Sequence, residues 1–346
     1  MKLLPEKPSK ILIRSTNWIG DAIMTTPAVR SIRQNFPESE ITLLALPWVA
    51  DVFRSCPHLD DIFIYDKQGR HQGIRGKLQL AADLRARQFD VAILLQNAFE
   101  AALMTLLARI PVRAGYTTDG RGLLLTHGVK KHPAIGKKHQ VHYYQEMLAG
   151  NGLVPGPDSL ELFLDPGAVQ EAETMLQESR KAGMPVIGLN PGAAYGPAKR
   201  WPGHKYAGLG KMLAEKINAR ILVFGTEADQ VAAAEISALV PKDNILDLTG
   251  KTSLALALAL IGQCQCFVTN DSGLMHVAAA LNTPLVAIFG STDHIATGPY
   301  SNRATVIRHP LDCSPCMKTH CPEKHLNCLE SIKVPEVFEA TLAWLD

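Results

Sequence analysis

The chain has 346 residues, 47% of them hydrophobic and 20% charged, with a formal net charge of +2, so there is room for two domains and no global case for nucleic-acid binding. Its longest apolar run, Leu254 to Ile261, is too short to span a bilayer, and Met1 to Lys10 leaves no room for a signal-peptide apolar segment, so a cytoplasmic location is expected. Seven cysteines in a cytoplasmic chain argue against a disulfide framework.

Ile11-Leu12-Ile13 reads as a first strand, and Ser15 to Asp21 as a turn opening a helix to about Phe36, kinked or restarted at Pro27. Strands follow at Ile41 to Leu46, Ile62 to Tyr65 and Val91 to Leu95, with helical patterns at Leu78 to Gln88 and Ala98 to Arg109. Lys67 to Lys77, with three glycines among its cations, reads as a mobile basic loop. Between Thr105 and Gln145 stand Arg109, Arg113, Arg121, Lys130, Lys131, Lys137 and Lys138 against the single acid Asp119, which predicts a local basic face. The proline and glycine cluster from Gly152 to Pro166 marks a boundary, giving domains 1–160 and 161–346.

The alternation then restarts: helix Ala168 to Lys181, strand Val186 to Asn190, helix His204 to Ile217, strand Arg220 to Phe224, helix Ala228 to Leu239, strand Asn244 to Leu248, helix Leu254 to Gly262. Cys266-Phe267-Val268, the turn Thr269 to Gly273 and a helix through Leu281 come next, then strand Leu285 to Phe289 and a final helix, Pro335 to Trp344. Short strands that are apolar throughout mean parallel sheets covered on both faces, so the fold class is α/β, two tandem Rossmann-like doubly wound domains. In such sheets ligands are held by the loops just after the strands.

The most informative of these loops is Asn270-Asp271-Ser272-Gly273. A helix starting there presents unpartnered N–H groups and the positive end of its dipole, a seat for a phosphate or pyrophosphate, and Gly273 lets a ligand approach the backbone. Asp271 reads either as part of that seat or as a simple N-cap. Lys199 and Arg200, in the loop after Asn190, read either as cations for a departing diphosphate or as a solvated pair. Glu227, after the next strand, is placed for ribose hydroxyls or for capping; His276 is placed for a phosphate or for an internal role. Asp21 is the only acid in the first loop: a weak base of pKa about 3.9, suited to an attack on a carbon with cationic character, as in glycosyl transfer, or else an N-cap. With no D-x-D pair, a metal-clamped diphosphate is not suggested, and no cofactor is expected. Cys313, Cys316, Cys321 and Cys328 are spaced so that zinc binding and a reduced surface loop both stay open.

Taken together, Asn17-Trp18-Ile19-Gly20-Asp21, Pro191-Gly192, Tyr195 to Pro202, Gly225-Thr226-Glu227 and Asn270 to His276 resemble the ADP-heptose:lipopolysaccharide heptosyltransferases, glycosyltransferase family 9, over nearly the whole chain. Trp18 and the cysteine cluster favour members that add the second heptose over those that add the first. The resemblance implies the glycosyltransferase B fold, an ADP-heptose donor held mainly by the second domain, and inverting transfer to heptosyl-Kdo2-lipid A. It also implies a final helix that returns to the first domain. It makes Asp21 the catalytic base, puts Lys199 on the phosphates and Glu227 on the ribose, and lines the diphosphate and sugar site with Asp271, Ser272, Gly273 and His276. An anionic glycolipid acceptor would give the basic stretch, with Arg70 and Arg75, a use at the inner-membrane surface, without a transmembrane segment. The rivals are a nucleotide-sugar epimerase or hydrolase on the same fold, and a non-catalytic nucleotide-sugar sensor.

Overall fold

A strand that is apolar on both faces is stable only inside a covered sheet, and the computed structural model, which describes residues 3–179 and 183–345, builds two such sheets. Each belongs to its own compact unit, Met1–Phe163 and Leu164–Asp346. In the first, the chain runs β1 (Lys10–Arg14), α1 (Ile19–Met24), α2 (Thr26–Asn35), β2 (Glu40–Ala45), α3 (Pro47–Phe53), β3 (Asp61–Ile64), α4 (Gly73–Ala86), β4 (Val91–Leu94), α5 (Phe99–Leu107), β5 (Val112–Tyr116), β6 (His127–Val129) and α6 (Gln140–Ala149). In the second it runs α7 (Pro166–Ser179), β7 (Val186–Asn190), α8 (Gly203–Ile217), β8 (Arg220–Val223), α9 (Gln230–Leu239), β9 (Ile245–Asp247), α10 (Leu254–Gly262), β10 (Cys266–Asn270), α11 (Gly273–Ala280), β11 (Leu285–Phe289), α12 (His294–Thr297), β12 (Ala304–Arg308), α13 (Asn327–Glu330) and α14 (Val334–Leu342).

The sheets share one topology. Their orders are β3-β2-β1-β4-β5-β6 and β12-β11-β10-β7-β8-β9, so in each the order reverses between the first strand and the fourth. Every pairing is parallel, with Ile13 level with Leu43 and Ile93, and Thr269 level with Asn190. A reversal of this kind leaves a crevice at the carboxyl ends of the two strands beside it, because their crossover helices leave on opposite faces. The loops beside these crevices are those after β1 and β4, and after β7 and β10.

Each sheet has its own core. Leu12, Leu44 and Leu94 pack with Leu80 and Leu84 of α4 in the first; Leu189, Val223, Val268 and Ile288 pack with Tyr206, Leu209 and Leu213 of α8 in the second. Complete burial of such a side chain contributes about 1.5–3 kcal/mol, so these few residues outweigh any surface interaction in the units.

Several elements depart from the sequence expectation. The first helix is broken at Thr25, whose hydroxyl bonds back to Ala22 O, and Pro27 sits in the first turn of α2, where a missing N–H does no harm. The basic loop Lys67 to Lys77 is helical from Gly73 onward, and Arg70 is tied to Asp83 at 2.8 Å. Strands β5, β6 and β12 and helices α3, α6, α12 and α13 lie outside the expected elements. They use part of the expected basic face internally: Arg121 is fully buried, donating to Tyr116 O, Gln96 O and Asn97 Oδ1, and Arg113 donates to Leu124 O and Ile110 O. Arg109, Lys130, Lys131, Lys137 and Lys138 are exposed. The helix expected to reach Lys181 is α7 as far as Ser179; Lys181 lies outside the described residues. Helix α14 packs on α8 and β11, with Val337 and Phe338 buried there.

Candidate active site

In the second unit the reversal falls between β7 and β10, and both strands end in a buried asparagine. The Nδ2 of Asn190 donates to Thr269 Oγ1 at 2.9 Å and to Ser272 Oγ at 2.8 Å. Asn270 accepts from Trp201 N at 2.9 Å and donates to Pro191 O at 2.8 Å. These bonds tie the Pro191 to Pro202 loop to the start of α11. Both asparagines lie outside the expected site residues; their signal in the sequence is a polar residue closing an otherwise apolar buried strand.

Ser272 is the N-cap of α11, with its hydroxyl accepting from Met275 N. That leaves the N–H groups of Gly273 and Leu274 aimed out of the helix end, where its dipole is positive. The N-cap reading of Asp271 thus goes to its neighbour. Asp271 is buried, and its Oδ2 lies 2.6 Å from Lys199 Nζ and 2.6 Å from Thr292 Oγ1. Lys199 is also held over the Tyr195 ring at 4.7 Å, with only 14% of its side chain exposed. So the ammonium stands at the mouth of a helix N-terminus with its position fixed from two sides. A cation there strengthens the attraction of the helix end for a diphosphate.

Arg200 is not a second free cation. It donates to Ala193 O at 3.2 and 3.1 Å and lies 3.6 Å from Asp229, so it braces its own loop. The capping role open to Glu227 is taken by Asp229, whose carboxylate accepts from the Thr226 amide and hydroxyl. Glu227 is exposed in the short turn after β8, beside Gly250. His276 is buried in the first turns of α11.

The cysteine segment has a structural use. Ser314 Oγ donates to Gly290 O, Met317 N to Ser291 O, Tyr195 OH to Met317 O and Ala198 N to Thr319 O, so the segment straps the end of β11 to the Lys199 loop. Gly196 has φ +150°, and a Cβ there would lie 2.5 Å from Thr319 O, which demands glycine at this crossing. Among the described residues no group of three or more His, Cys, Asp or Glu side chains is placed to hold a metal ion. The thiols differ in character: N–H groups from Leu326 and its neighbours pull the Cys321 thiol below its usual range, whereas burial pushes Cys264 far up and Cys266 up to about 12. Iodoacetamide at neutral pH is therefore expected to label Cys321 well before Cys264 and Cys266, and mass spectrometry of the time course checks it.

In the first unit Asp21 lies in the first turn of α1, half-buried just beyond β1. The loop leading to it is clamped from below. Arg14, buried and lowered by desolvation to about 10, donates to Ser15 O at 2.6 Å and to Asn17 Oδ1 at 2.9 Å, and Trp48 Nε1 donates to Asn17 O at 2.9 Å. Burial and then the Asp21 charge push the Tyr144 hydroxyl well above its ordinary value, which places an un-ionised phenol near the carboxylate.

The model of glycosyltransferase family 9 (heptosyltransferase) matches residues 77–327. The chain belongs to that family. This family 9 chain is 34% identical over 314 residues to lipooligosaccharide heptosyltransferase 2 of Haemophilus ducreyi, covering 86% of this chain and 88% of that one. It is likewise 34% identical over 307 residues to lipopolysaccharide heptosyltransferase 2 of Escherichia coli K12, with coverage of 86% and 88%. The solved structure of the E. coli ADP-heptose lipopolysaccharide heptosyltransferase II superposes with a TM-score of 0.82 at 31% identity, covering 97% of this chain and 98% of that one. The enzyme is thus a heptosyltransferase with the glycosyltransferase B fold, and its relatives do not favour the epimerase, hydrolase or sensor readings. Among its described residues no helix is long and apolar enough to cross a membrane.

Proposed function

We propose that this heptosyltransferase moves L-glycero-D-manno-heptose from ADP-heptose onto heptosyl-Kdo2-lipid A, with inversion. The observation that carries the donor half is the Lys199–Asp271 pair at the N-terminus of α11. As the bond from the sugar C1 to the diphosphate oxygen breaks, its electron pair stays on the diphosphate, and Lys199 with the Gly273 and Leu274 N–H groups meets the growing charge. Asp271, itself bonded by the Thr292 hydroxyl, holds Lys199 in place. Glu227 faces the ribose hydroxyls, and Ser272 and His276 complete the diphosphate and sugar site. The acceptor hydroxyl attacks C1 from the opposite side and gives its proton to Asp21. Because the transition state resembles an oxocarbenium ion, a carboxylate of ordinary basicity suffices.

The acceptor reading rests on the names of the relatives, heptosyltransferase 2 among them. A lipid-anchored acceptor calls for a cytoplasmic enzyme that works peripherally at a membrane face. The test is ADP release from ADP-heptose with and without heptosyl-Kdo2-lipid A. Release that requires the acceptor is expected; equal release without it would replace transfer by hydrolysis, and release supported only by Kdo2-lipid A would assign the first heptose instead.

A further inference from the structure

We propose that the outer face of α4 and α5 is a docking surface for an anionic lipid bilayer, a proposal whose purpose, though not its geometry, rests on the lipid-anchored acceptor above. Helix α4 is apolar on two sides. Leu80 and Leu84 face the core and are fully buried, so folding already has the apolar stripe it requires. Ile74 and Leu78, one turn apart, are 80% and 54% exposed, and Ala82 continues the line. Alongside, α5 exposes Leu106 and Leu107, and an open groove lined by Leu78, Ala82, Arg85 and Leu107 joins the two helices. Leu123, in the short turn Arg121–Leu124 packed on α5, is 98% exposed. Scattered exposed leucines need no explanation, but a run of them across adjoining elements marks an interaction surface.

The charges select the occupant. Arg75 and Arg85 on α4 and Arg109 just after α5 are exposed. Each helix carries one acid, and both are engaged: Asp83 by Arg70 at 2.8 Å, with His71 beside it, and Glu100 by Lys77 at 2.6 Å and by the Tyr65 hydroxyl. The face is therefore apolar and cationic. A second copy of the chain docked on the same patch would set arginine against arginine, whereas lipid phosphates receive guanidinium groups while isoleucine and leucine enter the acyl boundary. Each cation near an anionic bilayer strengthens binding about fivefold at ordinary ionic strength.

The test uses the full chain, with no sugar nucleotide and no acceptor, in co-sedimentation with phosphatidylglycerol vesicles and with phosphatidylcholine vesicles. Wild type is expected to bind the former preferentially, and the double variant Ile74→Asp, Leu78→Asp to bind about tenfold more weakly or worse with an unchanged melting temperature. Arg75→Gln with Arg85→Gln, which leaves the apolar residues in place, is expected to weaken binding and to flatten its dependence on salt. Binding by both variants within about twofold of wild type, or wild type that ignores phosphatidylglycerol, overturns the proposal. So does loss of binding on Lys137→Gln with Lys138→Gln alone, or a wild-type dimer that Leu78→Asp dissociates, which would assign the face to a second copy. Since no donor or acceptor is present, none of these results touches the transferase reading.

Discussion

Asp21→Asn is expected to lower kcat for heptose transfer by about 10²–10⁴, the contribution of a positioned general base, while ADP binds as before. The substitution keeps the shape of the side chain and removes only its ability to take a proton. The loop should survive it, because the loop's shape is set by other groups: Arg14 grips Ser15 O and Asn17 Oδ1, and the Trp48 indole N–H grips Asn17 O. Asp21→Glu moves the carboxylate by one methylene and is expected to fall between the two. The measurement is acceptor-dependent ADP release over a range of acceptor concentrations, so that kcat is separated from KM. A fall of less than about tenfold in kcat would remove the base role, leaving Asp21 as a structural residue of the first turn. The melting temperature provides a second readout, since the positive end of α1 loses its one acid and a drop of only a few degrees is expected, worth about 0.3–1 kcal/mol.

What the sequence made legible was what it encodes locally. The strand-turn-helix at Cys266 to Leu281 stands where the apolar pattern put it, and the two-sheet architecture follows from strands apolar on both faces. The partners of the site residues were not legible, because they are set by contacts between distant segments. Nothing near Asp271 in the chain indicates that its carboxylate meets Lys199, 72 positions away, and Thr292, 21 positions away. Arg113 and Arg121 show the same limit in reverse. Counted along the chain they add to a basic surface, yet both guanidinium groups donate to backbone carbonyls of neighbouring segments, Leu124 O and Tyr116 O among them. Strand β6 has only three residues, with a glycine in the middle, so it carries no periodic signal and exists because β5 offers it an edge. The cysteine segment carries metal-ligand spacing in the sequence, but its backbone, bonded to Tyr195 and Ala198, is what reaches the Lys199 loop.

Lys199→Met is expected to reduce kcat by about 10²–10³ and to destabilise the fold by about 3 kcal/mol, the lower end for breaking a buried pair because the ammonium keeps some contact with water. The two losses have different origins, and a second substitution separates them. With Lys199 gone, the Asp271 carboxylate is left buried with Thr292 as its remaining bonded partner, and that uncompensated charge is the source of the instability. Asp271→Asn in the same chain removes the charge while keeping an acceptor for the Thr292 hydroxyl. The double variant should therefore recover most of the stability and none of the activity. Asp271→Asn alone should leave a mobile Lys199, still cationic and still near Tyr195, and so a milder fall in kcat with a raised KM for the donor. Urea unfolding of the four proteins gives the coupling free energy, and ADP release gives the kinetic cycle. If activity returned with stability in the double variant, Lys199 would be a structural cation and the diphosphate would depend on the α11 N–H groups alone. If Lys199→Met lost activity at full stability, the pair would be worth little to the fold, and the 2.6 Å contact would serve only to aim the ammonium.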